Sequence, residues 1–566
     1  MTASDASGKS RLSGNNIANC PLPIAPYQAE KTVVAQHMKH PSNLFIARML
    51  ICSLFLIGLQ PAFSQSVSQK LNEKIARVIN AEEYRISSWG LAVADAATGE
   101  MVYELNPDKL FVPGSVTKLF SGAAALITFG ADHRFVTPIH RHGEIDANGI
   151  LHGDLILRAS GDPDLSGRTN AQGHLEFTNH DHTYSGMYVS QGASAELTKT
   201  DTLSGIDDFA QQISAVGIRQ INDVLVDERL FERHESGGSP PFQVTPIVVN
   251  DHLIDITIAP NNEAGTPAKV EIRPNTNYVQ FDIAVNTAAT GGGSYVTVQK
   301  VAPNRFALRG QIAKDKPPTV RTVEVENAAE FARAVLIERL QARGVRVEAS
   351  IYSTPKNDSL PAESEYEKLP IVAKHTSSPF AESLKVILKV SHNNHAHMLP
   401  LLIAAKNGKR THTAGMRAEG EALKSIGVDI SAFSLGDGEG GEQGDQVSPR
   451  GTIQLLRAMA KRPDYQIFHD ALPTLGVDGT LADAVPPTSP ARGKAYAKTG
   501  TYVWGDALNG RPLLRGKGFG GYITAASGRK LVVAIFLNNV PLKVPADTNK
   551  HGATLGKLAE IIYEGL

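Results

Sequence analysis

The chain has 566 residues, which is enough for roughly two to four domains and a large core. Lys and Arg number 56 and Asp and Glu number 57, so the charges nearly cancel and no global field favours nucleic acid or an anionic membrane as a partner. The two cysteines, Cys20 and Cys52, both lie near the N-terminus. We therefore expect no disulfide and no cysteine-bound metal in the remainder of the chain.

Residues 48–64 combine a basic residue, a short apolar run and a small-x-small site, which predicts a secretory signal cleaved after about Ser64. The apolar run is short for a membrane span, and the alternative is an uncleaved anchor. A second methionine, Met38, would start a signal of ordinary length. We predict that residues 1–64 are leader and signal peptide, and that the protein is periplasmic or otherwise extracytoplasmic, with at most peripheral membrane association.

The first elements after this segment are a helix, a hairpin and a second helix. Apolar residues at helical spacing predict an amphipathic helix around residues 71–79. The stretches Trp89–Asp95 and Glu100–Leu105 alternate on either side of a turn, which predicts a β-hairpin. A Pro-Gly pair then precedes a predicted helix over residues 115–130, whose run Leu119–Ala125 is small and apolar on nearly all sides, as is typical of a buried helix.

The middle of the chain, from about residue 131 to 375, is rich in short strand patterns and polar turns. It also contains one predicted helix, Ala328–Ala342, which Asn327 would cap. We therefore expect an inserted β-rich module of one or two domains. The strand patterns are Leu155–Leu157, Val224–Val226, Val270–Ile272, Val279–Val285, Tyr295–Val298, Phe306–Leu308 and Val345–Ile351.

The last third of the chain returns to helices and ends with three strands and a final helix. We expect these strands and the early hairpin to form one antiparallel sheet, with the first and last helices on one face and the 115–130 helix on the other. The predicted fold is thus an α/β sandwich in which residues 65–130 and 376–566 form a discontinuous catalytic domain around the insertion 131–375. Two helices are predicted to begin at Ser378-Pro379 and at Ser448-Pro449. The three predicted strands are Ala495–Tyr502, Gly518–Thr524 and Leu531–Leu537, and the final predicted helix is Leu555–Leu566.

Ser115 and Lys118 are a candidate nucleophile and base. Residues three apart share a helix face, and a lysine at the head of an apolar helix is partly desolvated, which lowers its pKa and lets it accept a proton. The same S-x-x-K pattern recurs at Ser353–Lys356 and Ser527–Lys530, but in turn-forming contexts. The pattern alone is therefore a weak signal.

Two further patterns add polar groups suited to acyl transfer. The Lys-Thr-Gly-Thr stretch at 498–501 begins a strand, where a lysine and hydroxyls suit a carboxylate and the glycine lets a ligand approach the backbone. Ser391 and Asn393 follow a helix and offer a hydroxyl for proton relay and an amide for a substrate carbonyl.

The patterns S-x-x-K, S-x-N and K-T-G occur in that order in β-lactamases and penicillin-binding proteins, and the chain resembles these serine enzymes. Ser391 lies 276 positions after Ser115, whereas Lys498 follows Ser391 by 107. A large insertion at that point resembles the D-alanyl-D-alanine carboxypeptidase/endopeptidase family, the class C low-molecular-mass penicillin-binding proteins. Further matches to this family are Gly161–Leu165, Val226-Asp227, Gly476–Leu481 and Gly521–Ile523.

This resemblance implies cleavage of the terminal D-Ala and of D-Ala-diaminopimelate cross-links in peptidoglycan stem peptides, inhibition by β-lactams, and no metal or cofactor. Ser115 would attack the D-Ala carbonyl, Lys118 would take its proton, and Ser391, with Lys498 nearby, would pass a proton to the leaving amine. The implied substrate contacts are Asn393 at an amide, Thr499, Gly500 and Thr501 at the terminal carboxylate, and Asp227 at a side-chain amine. For Asp227, a solvated carboxylate at a strand end is an equally good interpretation.

The chain also departs from the family pattern, and these departures keep two other hypotheses open. His392 stands where an acidic residue is usual, Glu439 replaces a serine, Gly114 replaces an alanine, and Pro400 is expected to interrupt the helix after Asn393. A peptidoglycan-binding protein that acylates slowly or not at all is the first alternative. A β-lactamase or esterase on the same fold is the second.

Histidines are concentrated at His392, His395 and His397, and again at His180 and His182. Imidazoles at such spacings can hold zinc, but three on one short segment need not converge. We therefore expect no metal, and interpret these residues as polar groups that line the cleft or the surface. An imidazole next to Ser391 is further predicted to influence the pH optimum.

Overall fold

The computed structural model describes residues 61–165, 167–178, 182, 197–238 and 241–566, with side chains from residue 69 onward. The predicted signal lies almost entirely outside these ranges, and the expected cleavage point after Ser64 falls within the first described helix, Pro61–Ile79. That helix confirms the predicted amphipathic segment, since Leu71 and Ile75 are buried. Within the described ranges, no helix combines the length and the apolar character needed to cross a membrane.

The central sheet joins the two ends of the described chain. Its main strands lie in the order Ala495–Asp506, Arg511–Thr524, Lys530–Asn538, Ser88–Asp95 and Met101–Leu105, and neighbouring strands are antiparallel. A short strand, Val540–Pro541, also pairs with Arg511–Thr524. This arrangement confirms the predicted antiparallel α/β sheet, although the three C-terminal strands are longer than their apolar patterns indicated.

Both faces of this sheet are covered, because side chains on a strand alternate between faces. Leu91 and Val93 belong to the core that contains Leu71 and Leu555, under the first helix and the last helix, Thr548–Gly565. Ala92 and Ala94 belong to the opposite core, with residues of the helices Lys118–Phe129 and Pro449–Ala460. The predicted layering is confirmed.

A second layer of helices covers the helix Lys118–Phe129. Its residues 118–126 are all buried, and Gly122 lets Leu384 of the next layer pack closely. This accounts for a helix that is apolar on all sides. The covering helices are Phe380–Lys389, Asn393–Lys406 and His412–Ser425, and the short helix Tyr465–Asp470 lies beside the first of these.

Residues 136–376 form separate sheets with a core of their own, and none of their described strands joins the central sheet. The helices Ser204–Ala215 and Ala328–Ala342 pack against each other within this core. The side chain of Asn327 accepts hydrogen bonds from two backbone N–H groups, which confirms the predicted cap. The strands are Val136–Ile145, Leu151–Arg158, Val224–Asp227 and Ile371–Thr376 in one sheet, Leu253–Ala259, Lys269–Arg273 and Thr319–Glu324 in a second, and Gln280–Ala288, Tyr295–Ala302 and Arg305–Ala313 in a third.

Two local predictions are wrong. Of the strand predicted at Val345–Ile351, only Arg346–Val347 pairs, because its partner strand, Gln220–Ile221, is equally short. Pro400 does not interrupt the helix, which runs from Asn393 to Lys406. The proline lies between Gly415 and Gly438, two residues without side chains, so the helix is held in place by close packing on both sides.

Candidate active site

Ser115 lies in a 3₁₀ turn, Gly114–Thr117, that leads directly into the helix Lys118–Phe129. In a 3₁₀ turn the side chains at positions i and i+3 eclipse each other, so Lys118 lies over Ser115. Gly114 has φ +51°, in the left-handed region, where glycine is preferred over the alanine that is usual in the family. The sequence prediction of a shared face is correct, with a tighter turn than expected.

Lys118 is fully buried and its Nζ makes three hydrogen bonds. It donates to Ser115 Oγ at 2.8 Å, to Asn393 Oδ1 at 2.8 Å and to the backbone carbonyl of Glu439 at 3.0 Å. Burial lowers the pKa of Lys118 from 10.5 to about 8, although the charges of Glu439 and Asp437 oppose this shift. A substantial fraction of such an amine is neutral near pH 8 and able to accept the proton of Ser115.

Ser391 and Lys498 form a second serine–lysine pair. Ser391 occupies the turn between two helices with φ +67°, an uncommon conformation for a residue with a side chain. Lys498 Nζ donates to Ser391 Oγ at 2.9 Å and is fully buried. Burial, reinforced by the positive charges of Lys118 and Lys517, holds the pKa of Lys498 well below its usual range.

The strand Ala495–Asp506 brings the threonines of the Lys-Thr-Gly-Thr stretch to the edge of the sheet. Thr499 Oγ1 donates to Thr480 Oγ1 at 2.7 Å, and Thr501 Oγ1 accepts from Lys517 Nζ at 2.7 Å. A Cβ atom on Gly500 would collide with the backbone carbonyl of Pro113. The glycine is therefore required for the 3₁₀ turn to pack on the strand, a reason in addition to the predicted approach of a ligand.

Lys517 is a site residue that the sequence reasoning missed. It lies on the adjacent strand, directly opposite Thr501, and burial lowers its pKa to about 8. The sequence does contain a signal for this residue: Arg515 and Lys517 are two positions apart, which places both side chains on one face of a strand whose later residues are apolar. A lysine that points out of such a strand beside a Lys-Thr-Gly sequence is a candidate for binding an anion.

Asp227 is buried, and its carboxylate is already engaged. It accepts from Arg229 Nε at 2.8 Å and Arg229 Nη2 at 2.7 Å, and also from the hydroxyl of Tyr366. Burial raises the pKa of Asp227, but these hydrogen bonds outweigh it and lower the pKa overall. The nearby surface pocket is also lined by Arg158 and Arg410, which would repel a substrate amine.

The prediction that the histidines line the cleft or the surface is wrong, since His392, His395 and His397 are at most 1% exposed. His392 instead caps its helix, where its ring accepts from the N–H of His395. Burial and the neighbouring His395 lower the pKa of His392 to about 3. The influence of His392 on the pH optimum stays a prediction. His180 lies outside the described residues.

The structure therefore brings together Ser115, Lys118, Ser391, Asn393 and Lys498 from three distant parts of the sequence. Two buried serine–lysine pairs, an asparagine and a Lys-Thr-Gly strand at the edge of an antiparallel sheet define the class of penicillin-recognising serine enzymes.

The comparisons with known proteins identify the family within this class. The model of the D-Ala-D-Ala carboxypeptidase 3 (S13) family matches residues 71–558, and the chain belongs to this family. A D-alanyl-D-alanine carboxypeptidase of an Actinomadura species is 28% identical over 475 residues, which cover 80% of this chain and 81% of the relative. D-alanyl-D-alanine carboxypeptidase DacB of Haemophilus influenzae is 25% identical over 471 residues, which cover 80% and 85%.

A solved structure supports the fold. Penicillin binding protein 4 of Haemophilus influenzae superposes with a TM-score of 0.61 at 21% identity, covering 88% of this chain and 98% of that protein. The resemblance found in the motifs is thus confirmed, and the chain is a serine enzyme of the D-Ala-D-Ala carboxypeptidase type, a peptidoglycan hydrolase.

Proposed function

We propose that this protein removes the terminal D-Ala from peptidoglycan stem peptides through an acyl-enzyme on Ser115, and that it also opens D-Ala-diaminopimelate cross-links. The observation that carries the proposal is the contact between Lys118 Nζ and Ser115 Oγ, at 2.8 Å, in a site where burial lowers the pKa of the amine to about 8. A nucleophile needs an adjacent base with such a pKa to react near neutral pH.

In the acylation step, Ser115 Oγ bonds to the carbonyl carbon of the penultimate D-Ala while Lys118 takes the hydroxyl proton. The backbone N–H groups of Ser115 and Thr501 stabilise the oxyanion. The C–N bond then breaks, and the proton returns to the leaving nitrogen through the hydroxyl of Ser391, which Lys498 orients. Water hydrolyses the ester and restores Ser115, so the cycle needs no metal or cofactor.

The terminal carboxylate of the substrate would bind to Thr499, Thr501 and Lys517. Lys517 supplies the positive charge, and the two hydroxyls supply directional hydrogen bonds. Asn393 accepts from Lys118 through Oδ1, so its NH₂ group is the end that would donate to a substrate carbonyl. Its position between the two serine–lysine pairs suits that role.

We assign Asp227 a structural role, because Arg229 and Tyr366 already occupy its carboxylate. We also propose that residues 65–130 and 376–566 act as the catalytic domain and that 131–375 is an inserted module. The signal predicted in residues 1–64 would export the protein to the periplasm or another extracytoplasmic compartment, where peptidoglycan is found.

Two features weigh against a binding protein with a disabled site. His392 is turned into a buried histidine cluster, and Glu439 contributes its backbone carbonyl rather than its side chain to Lys118. Neither substitution therefore removes a group from either serine–lysine pair. A β-lactamase would differ in its fast release of the acyl group.

The test is the mass of the intact protein after incubation with benzylpenicillin, combined with D-Ala release from a D-Ala-D-Ala peptide. We expect one penicilloyl group per chain, mapped to the peptide that contains Ser115, and neither an adduct nor D-Ala release with Ser115→Ala. A folded protein that gains no adduct would support the binding-protein hypothesis. Rapid hydrolysis of a chromogenic cephalosporin would support the β-lactamase.

A further inference from the structure

Three imidazoles from distant parts of the sequence converge beside the catalytic domain's helices. His397 lies in the helix Asn393–Lys406, His412 begins the helix His412–Ser425, and His234 lies in a short strand, His234–Glu235. The ring centres of His234 and His412 are 4.2 Å apart, and each is 5.1 Å from that of His397. One ring nitrogen from each of the three lies within 4.8 Å of the other two.

Two of these rings keep buried nitrogens without a hydrogen-bond partner among the described residues. His397 is 0% exposed, and neither Nδ1 nor Nε2 has a partner. Nε2 of His412 is also buried and has no hydrogen-bond partner among the described residues. An unpaired buried polar atom is unfavourable, so native proteins rarely contain one without a compensating partner or ligand.

The surroundings are rich in buried negative charge. Carboxylate oxygens of Asp437 and Glu439 lie within 4.8 Å of a nitrogen of His397, and Nδ1 of His397 is 3.5 Å from Glu439 Oε1. Asp437 accepts hydrogen bonds from the backbone N–H groups of residues 439–442. A cation at this position would offset the excess charge.

We propose that His234, His397 and His412 bind a divalent transition-metal ion of the zinc type, with water in the remaining position. Imidazole nitrogens suit zinc, copper and nickel, whereas calcium and magnesium prefer oxygen ligands. With the ion on Nε2 of His397, its Nδ1–H would donate to Glu439 Oε1, which lies 3.5 Å away, and hold the ring in the manner of a carboxylate–histidine–zinc triad. Zinc binds imidazole nitrogen at about 2.0–2.1 Å in tetrahedral sites. The three rings lie nearly parallel, with interplanar angles of 4°, 19° and 22°, so the rings would have to turn as well as draw together around the ion.

The ion would tie a strand that precedes residue 376 to two helices of the proposed catalytic domain. It would also steady Glu439, whose backbone carbonyl accepts from Lys118 at 3.0 Å. The site is thus a structural device next to the catalytic lysine and takes no part in the peptidase reaction. The proposal does not depend on that activity.

A neighbouring cluster offers an internal contrast. His395 Nε2 contacts Asp251 Oδ1 at 2.7 Å, and His182 Nδ1 contacts Asp251 Oδ2 at 2.7 Å. Both carboxylate oxygens of Asp251 are thus paired with imidazole nitrogens, which distinguishes this cluster from the proposed site. Substitution of His395 is therefore a suitable control for a variant in the proposed site.

The test uses the full chain, purified without a polyhistidine tag, stripped with a chelator and titrated with zinc. We expect one zinc per chain by elemental analysis. Removing an outer-shell partner usually costs 10–100-fold in metal affinity, so loss of a direct ligand in His234→Gln or His412→Gln should cost at least about 100-fold. His395→Gln and the exposed control His152→Gln should bind like the wild type, and Glu439→Gln should lose about tenfold.

A wild-type protein that binds no zinc would overturn the proposal. So would full affinity in both His234→Gln and His412→Gln, or a loss confined to His395→Gln. The cobalt-substituted wild-type protein gives a second readout that needs no variant. An intense tetrahedral absorption band is expected, and a weak octahedral spectrum would count against the three-imidazole site.

Discussion

The two serine–lysine pairs of the cleft have almost the same geometry and opposite surroundings. Lys118 Nζ lies 2.8 Å from Ser115 Oγ, Lys498 Nζ lies 2.9 Å from Ser391 Oγ, and both lysines are fully buried. Carboxylates surround Lys118 and keep its pKa at about 8 against the effect of burial. Positive charges face Lys498 and lower its pKa further.

This difference indicates that environment, more than distance, assigns the roles. Groups whose surroundings separate their pKa values take different parts in acid–base chemistry. Lys118 can take up and release a proton at pH values near 8, which suits a general base. Lys498 loses its charge readily, which suits an amine that orients the hydroxyl of Ser391. Substitutions in each pair test whether the two lysines have these separate roles.

The largest effect is expected from Lys118→Met, which removes the base and keeps a side chain of similar length. The second-order rate of acylation by benzylpenicillin should fall by at least about 10⁴-fold, because nucleophile and base act as one unit. Lys530→Met, in the exposed S-x-x-K copy that starts at Ser527, is the matched control and should react normally. Retention of the rate within tenfold would shift the role of base to Lys498.

A smaller loss is expected from Ser391→Ala, since this hydroxyl relays a proton and forms no covalent bond. Acylation should slow by roughly 10²–10⁴-fold, the usual contribution of general acid–base catalysis. The exposed Ser359→Ala serves as the control. If Ser391→Ala were as inactive as Lys118→Met, the two pairs would share one role and the comparison would fail.

Lys517→Met should chiefly weaken substrate binding. A hydrogen bond to a charged group contributes about 1.5–3 kcal/mol, so KM for a D-Ala-D-Ala peptide should rise by roughly 10–100-fold with a lesser change in kcat. The exposed Lys543→Met is the control. A fall in kcat at unchanged KM would instead indicate that Lys517 acts through the charge of Lys498.

The smallest effect is a shift in pH dependence with Glu439→Gln. The neutral form of Lys118 is the reactive one, so the acylation rate should rise with pH and level off above about 8. Neutralising Glu439 removes a charge that raises the pKa of Lys118, so the profile should move toward lower pH by about half to one unit. Both proteins are measured after chelator treatment, with Glu421→Gln as the exposed control. A shift toward higher pH would contradict the assignment.

The sequence alone determined the features that depend on local periodicity and capping. The hairpin, the helix Ala328–Ala342 with its Asn327 cap, and the helix Pro449–Ala460 behind Ser448 all lie where the pattern predicted them. The Ser115–Lys118 pair belongs to the same category, because a spacing of three residues fixes it within one turn. The order and spacing of the motifs were also enough to identify the family.

Tertiary structure alone decided which distant groups meet. Lys517 reaches Thr501 through strand pairing, Tyr366 donates a hydrogen bond to Asp227, and the imidazoles of His234 and His412 approach across 178 positions of sequence. Sequence patterns report how residues repeat along the chain, whereas such contacts depend on how separate elements pack. The pKa values follow the same rule, because burial and neighbouring charge exist only in the folded protein.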